Sequence, residues 1–217
     1  MPTVNFTPSL DGAAWRNAPD GEDWATIIAG AGTDVDHTTN YAAVGIHSDS
    51  ITDKWDVLYR SILLYDISSF PTTVTAASLS LWLVKYDDIV ITPDFCLYEA
   101  TPAADDDLVA ADYGAIGSVE WSNILAYADL VDSDWNTWAL NSTGIAAVNT
   151  ALGGDGILRL GLRNANYDVA ASAPDWGSPN FSGINFWAVE KSGYEPMLTL
   201  SYAAALKPQV IMIKGRS

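Results

Sequence analysis

The side chains in this sequence that could do chemistry are carboxylates, two histidines and a large set of indoles. Histidine occurs twice, at His37 and His47, with Asp34, Asp36 and Asp49 nearby in sequence. Asp-Val-Asp-His matches no zinc-ligand spacing, and zinc sites want more His or Cys than this chain offers, so no metal centre is assigned. Asp11, Asp20, Glu22 and Asp23 offer hard oxygens that would suit one structural Ca²⁺ pinning a loop, without the EF-hand pattern. No Gly-x-Ser-x-Gly elbow is present for a serine hydrolase. Among 27 acids no two stand out as a catalytic pair. The expectation is a protein that is not an enzyme and carries no cofactor. Arg60, inside an apolar run that ends at Asp66, reads as a half-buried guanidinium paired with acid to close one end of the fold.

The indoles point to binding. Trp15, Trp24, Trp55, Trp121 and Trp176, with Trp135 and Trp138, fall mainly in loops or at strand edges. Exposed rings of this kind stack on the apolar face of a pyranose, with Asn and Asp beside them to bond hydroxyls. The competing expectation is that such rings plug the open ends of a β-sandwich. A second candidate is the C-terminal run LKPQVIMIKGRS. Val210, Ile211, Met212 and Ile213 follow Pro208 and are flanked by Lys207, Lys214 and Arg216. An apolar strand of this kind is sticky in water, and it suits addition to a sheet edge or capture by a partner.

The elements that must carry these residues are strands. Residues 57–84 predict two of them. In the first, apolar residues stand on both parities: Leu58, Ile62 and Leu64 against Tyr59, Leu63, Tyr65 and Ile67, as in a central strand covered on both faces. Pro71, after Ser68 and Ser69, ends it. The second alternates, with Leu79, Leu81 and Leu83 on one side and Ser78, Ser80 and Trp82 on the other, toward solvent or a partner. Further strands are expected at 3–7, 25–29, 41–47, 95–99, 135–141, 157–162, 184–189 and 197–202. Helical turns are expected over 103–112. A short helix is expected over 142–152, capped by Ser142 or Thr143, with Ile145, Val148 and Leu152 on one face. Residues 11–24, 33–40 and 164–182 read as loops. About ten short strands with one or two small helices imply one all-β domain over residues 1–202, an antiparallel jelly-roll-like sandwich. A tail follows at 203–217.

Composition sets further bounds. The chain has 217 residues, 49% of them apolar, enough for a sizeable core. Net charge is −17. Seven bases stand against 27 acids before Lys207, a balance of −20, and the last eleven residues carry +3. An acidic body repels phosphate backbones and anionic lipid, so neither nucleic acid nor membrane is an expected partner. Cys96 is the one cysteine, which excludes an internal disulfide and reads as a small buried hydrophobe. The N-terminus shows no charged stretch followed by an apolar one, and no run approaches the ~18 apolar residues of a membrane span.

Several stretches carry a resemblance. TTNY (38–41), a strand through Val44–His47, YRSILLYDISSFP (59–71) and TAASLSLWLV (75–84) resemble the DNRLRE-type β-sandwich domain, a family grouped with certain carbohydrate-binding modules. Glu195 to Tyr202 is similar to that family's Pro-x-Leu-x-Val-x-Tyr close, and Trp135 to Leu162 to its segment of strand, short helix and strand. The chain departs at Tyr65, where Phe is usual, and in the tail 206–217, which lies outside the domain. The resemblance implies a jelly-roll-like sandwich and little about chemistry. With its tail, the chain is similar in architecture to such proteins among bacteriophage structural genes. The expected function is therefore a virion component, a head decoration or tail-associated protein. It would display the acidic sandwich and be anchored through residues 207–216 to other virion proteins or to copies of itself. The alternative is an extracellular carbohydrate-binding or adhesion module using the loop tryptophans on surface glycans.

Overall fold

Apolar residues at period two dominate the chain, and in the computed structural model they form strands. The structure describes residues 1–71, 73–86, 91–177 and 180–203. The tail, with Lys207, Pro208, Val210–Ile213, Lys214 and Arg216, lies outside the described residues. The elements in order are β1 (Thr3–Phe6), β2 (Leu10–Glu22), α1 (Trp24–Ala29), β3 (Asp34–Asp36), β4 (Tyr41–Ser48), β5 (Trp55–Asp66), β6 (Val74–Tyr86) and β7 (Phe95–Ala100). They continue with β8 (Ile116–Glu120), β9 (Trp135–Ala139), α2 (Ser142–Gly153), β10 (Ile157–Asn164), β11 (Phe181–Trp187) and β12 (Met197–Tyr202). Short 3₁₀ turns at Ala110–Gly114 and Tyr127–Asp129 and a π turn at Ala165–Val169 occupy connections. Every described pairing is antiparallel. The all-β, sandwich-like architecture is as expected. No described helix is long and apolar enough to cross a membrane.

β5 is the central strand. β2 runs along one of its edges, from Leu10 opposite Leu64 to Glu22 opposite Trp55. β4 and β10 share the other edge, β4 opposite residues 55–59 and β10 opposite 61–66. Both faces are buried, each in a different core. Leu63 and Tyr65 enter the main core with Leu79, Leu81 and Leu83 of β6, Leu158, Leu160 and Leu162 of β10, and Ile184 and Phe186 of β11. Leu58 packs with Trp24, Ile27 and Trp55, while Ile62 and Leu64 pack with Cys96, Tyr98 and Ile116. Each such side chain fully buried contributes roughly 1.5–3 kcal/mol. Because both parities are apolar, hydrophobicity alone would not fix the register of β5. Arg60 does: a slip of one residue would drive its guanidinium into the main core without partners.

β6 links two layers. Its first half lies between β12 and β9, and its last residues pair with β11, which continues to β4. α2 packs Val148 into the main core, with Ile145 and Leu152 half-buried beside it. Its cap is Asn141, one residue before the expected Ser142. The Asn141 Oδ1 accepts from the backbone N–H of Thr143 at 2.9 Å and of Gly144 at 3.0 Å.

The remaining differences are local. Residues 11–24, read as loop, are mostly β2, held by its long pairing with β5 despite Gly12 and Pro19. Residues 25–29, read as strand, belong to α1, because burying Trp24 and Ile27 at a spacing of three needs a helical turn. The helical turns expected over 103–112 appear only at Ala110–Gly114. β3 and β8 arise in stretches without strand patterning.

Candidate functional site

A groove lies over β4 and β11 beside β5 and β2. Tyr59 shares its face of β5 with Leu63 and Tyr65, which point into the core. The register nevertheless sets Tyr59 opposite Gly45, on the face of β4 and β11 that carries Ala43 and Asn185. That face is the one turned away from Val44, Ile184 and Phe186 in the core. The inner face of β5 thus becomes, at Tyr59, an overhang beside the outer surface of β4 and β11. The result is an open groove of about 750 Å³.

Rings make up much of its lining. Trp15 of β2 lies opposite Tyr59, ring centroids 5.4 Å apart, and Phe181 of β11 meets Tyr59 edge-on at 5.8 Å. Phe181 sits where Gly45 has no side chain, since a Cβ there would come within 2.6 Å of its ring. Polar groups complete the lining: Asn185, His47, and the turn Asp36, Thr38, Thr39 and Asn40, with Tyr41 beside it.

The turn is rigid. Asp36 Oδ1 accepts from the Thr38 N–H at 2.9 Å and the Thr38 hydroxyl at 3.2 Å, and Oδ2 accepts from the Thr39 hydroxyl at 2.9 Å. Partial burial alone would raise the Asp36 carboxyl, but these bonds outweigh it and hold it below the usual carboxylate range. His47 Nδ1 lies 2.6 Å from Asp56 Oδ1, which fixes the imidazole in the groove. Such a site has apolar ring faces, amide and hydroxyl groups and a fixed carboxylate. It suits a polyhydroxylated, partly apolar ligand.

The five tryptophans expected to bind glycan separate. Trp15 is half-buried and lines the groove. Trp24 and Trp55 are buried against each other, centroids 5.3 Å apart, beneath β5. Trp121 is buried at the edge of the main core. Trp176 is half-buried and donates its Nε1–H to the Asp49 carbonyl at 3.1 Å. For Trp24, Trp55 and Trp121 the platform expectation is therefore corrected: their faces are spent on packing, as plugs of the fold. Trp138 is likewise fully buried. Tyr59, Phe181 and Tyr41 belong to the groove without having been singled out. The signal available for Tyr59 was its parity, which correctly placed it with Leu63 but could not say what lay opposite.

Arg60 is a buried, paired arginine, but its partner is Asp168 rather than Asp66. Arg60 and Arg163 both grip Asp168 bidentately. The Nε and Nη2 of Arg60 donate at 2.9 and 2.6 Å, and those of Arg163 at 2.8 and 2.8 Å. The other guanidinium N–H groups donate to carbonyls of Tyr113, Ile28, Ile116 and Gly117. Burial would raise the Asp168 carboxyl, yet the bonds from Arg163 and the charge of Arg60 prevail and hold it below the usual range. Asp66 instead is exposed and caps its own turn by accepting from the Ser68 N–H.

Three of the four acids considered for calcium have other partners, and the fourth, Asp20, is exposed. Asp11 is buried against the Val189 N–H, Glu22 pairs with Arg16 and Asp23 with Lys54. Among the described residues no group of three or more His, Cys, Asp or Glu is arranged to hold a metal ion. No protein-family model matches the chain, and no curated protein matches it.

Proposed function

We propose that the protein is a non-enzymatic carbohydrate-binding β-sandwich and that its ligand lies in the groove of Trp15, Tyr59 and Phe181. The observation that carries this reading is the convergence of those three rings with Asn185, Asn40 and the Thr38–Thr39 hydroxyls in one open concavity. The motif resemblance to a domain grouped with carbohydrate-binding modules agrees with it.

The expected ligand is uncharged. At least five of the seven bases before Lys207 are paired with carboxylates. Arg16, Lys54 and Arg159 pair with carboxylates, Arg60 and Arg163 grip Asp168, Lys85 lies over Tyr127, and Lys191 lies over Trp187. A sulfated or uronic glycan would meet an acidic surface most of whose cations are already paired. The test is a glycan array followed by calorimetry. Trp15→Ala and Tyr59→Ala are expected to weaken a neutral hit by at least tenfold, about 1.4 kcal/mol, with folding checked by thermal melting. An array silent for neutral glycans would overturn the reading.

A second reading is display on an assembly such as a virion, anchored by the tail. It is favoured by the +3 charge and the apolar run Val210–Ile213 beside a body of −20. It is compatible with glycan binding, since a displayed sandwich can hold sugar. Light scattering on the full chain and on a chain ending at Ala205 tests it: the full chain should assemble and the shorter one stay monomeric. Identical monomers, with no difference in particle binding, would remove the tail from the mechanism.

A further inference from the structure

The groove does not end at Tyr41. From there a row of rings crosses the outer surface of β4, β11, β6 and β9. Tyr41 lies opposite Trp187 in the β4–β11 register, centroids 5.3 Å apart. Trp187 lies 6.4 Å from Tyr194, Tyr194 lies 4.8 Å from Trp82, and Trp82 lies 5.8 Å from Trp135, its partner across β6 and β9. Tyr41 is 52% exposed and Trp135 37%, and the three rings between them are half-buried. A shallow depression of about 220 Å³, which shares Tyr41 and Asn185 with the groove and adds Trp187, joins the two.

Resting on the carbohydrate reading above, we infer that groove and ring row form one continuous site for an extended single chain of a neutral polysaccharide, not for a lone terminal sugar. Four observations select this occupant. The row is continuous with the groove, so a ligand seated by Tyr59 has further rings to follow. Successive rings are tilted by 58°, 44°, 68° and 88°, so no flat surface can lie on all of them at once, whereas a chain that turns from sugar to sugar can. Residues of hydrogen-bonding type share the same outer face: Asn185 next to Trp187 on β11, and Ser80 bonded to Thr137 at 2.8 Å next to Trp82 and Trp135. That mixture suits hydroxyls better than the aliphatic face of another protein. The one cation on the row, among the described residues, is Lys191. It lies 4.7 Å from the centre of the Trp187 ring, a single positive charge against a body of −20, which disfavours a polyanionic chain.

The experiment compares di- and hexasaccharides of cellulose, mannan and xylan type, with oligogalacturonate as the acidic counterpart. The full chain is used with Trp135→Ala, Trp82→Ala and Tyr59→Ala. Trp135 is exposed on a sheet edge, so its substitution keeps the fold even if Trp82→Ala does not. At least one neutral hexasaccharide is expected to bind about tenfold or more tightly than its disaccharide. Trp135→Ala and Trp82→Ala should each cost the hexasaccharide severalfold and leave the disaccharide unchanged, while Tyr59→Ala weakens both. Equal affinity for the two lengths, or a hexasaccharide indifferent to both row substitutions, would overturn the extended site and leave the groove standing. If no neutral oligosaccharide binds, or only oligogalacturonate does, the neutral-glycan reading falls and the extended site with it.

Discussion

Asp168→Ala is expected to destabilise the protein by about 3–5 kcal/mol, the largest effect of any single substitution considered. Total stabilities of single domains are roughly 5–15 kcal/mol, so the variant stands near the edge of folding. The reason is the arithmetic of the cluster. One carboxylate, 3% exposed, serves two guanidiniums, at Arg60 (3%) and Arg163 (9%). Removing it leaves two buried cations with only carbonyls for company, whereas removing one arginine leaves a neutral pair. Asp168→Asn separates shape from charge. Each carboxylate oxygen accepts from both arginines, so the amide nitrogen that replaces one oxygen would face two donors. Its cost should approach that of Ala. Arg163→Met should cost clearly less than either, because Arg60 keeps both bonds to Asp168. Urea denaturation measures all three, through a shifted midpoint at unchanged slope. A loss under about 1 kcal/mol for Asp168→Ala would show that the cluster is stabilised by its carbonyl contacts and by Arg60 lying 3.9 Å over the Tyr113 ring rather than by its ion pairs.

The cluster also locates what sequence reasoning could and could not see. Strands with clean alternation or two-sided apolar patterning were legible: β5, β6, β10 and β12 lie close to where their residues put them. β2 was not, because Asp11-Gly12 and Pro19-Asp20-Gly21 look like turns. Its extended form is imposed by pairing with β5. The Thr26-Ile27-Ile28 run of α1 has strand propensity, and tertiary burial of Trp24 and Ile27 overrides it. For the sites, distance along the chain decided the matter. That Arg60 needed an acid could be read locally, but the acid is 108 residues away in a stretch read as loop. Trp15 carried a legible signal. Tyr59 did not, since its face is core at Leu63 and groove at Tyr59, and only the crossing of β4 makes the difference. Trp82 was placed on the outward face from alternation alone. Its neighbour Tyr194, and Trp187 beyond that, come from segments far along the chain.

Asp11→Asn is expected to remove most of the protein's loss of stability between pH 5 and 8. Asp11 is 1% exposed on β2, and both its oxygens lie 3.2 Å from the Val189 N–H. Burial pushes its carboxyl up to about 7, against the lowering effect of the Val189 bond and with a small further push from Glu190. The folded state therefore holds a proton that the unfolded chain releases near pH 4. The stability this proton brings is complete below about pH 4 and is lost as pH rises through about 7, a swing on the order of 4 kcal/mol at most. Asp168 and Asp36 work the other way. Their carboxyls are held low, so their contribution is present above about pH 4 and fades in acid. Wild-type stability should thus peak near pH 4, decline from there to about pH 7 and level off above it. Asn keeps the acceptor for Val189 and never ionises. It also removes the negative charge that helps push up the fully buried Tyr65 hydroxyl. Denaturation midpoints at pH 5, 6, 7 and 8 decide the matter. The wild type should fall from pH 5 to about 7 and level off by pH 8, and Asp11→Asn should stay nearly flat, so that the variant is the more stable protein at pH 8. Parallel declines in both would assign the pH dependence to mutual repulsion across the −17 surface rather than to this one carboxyl.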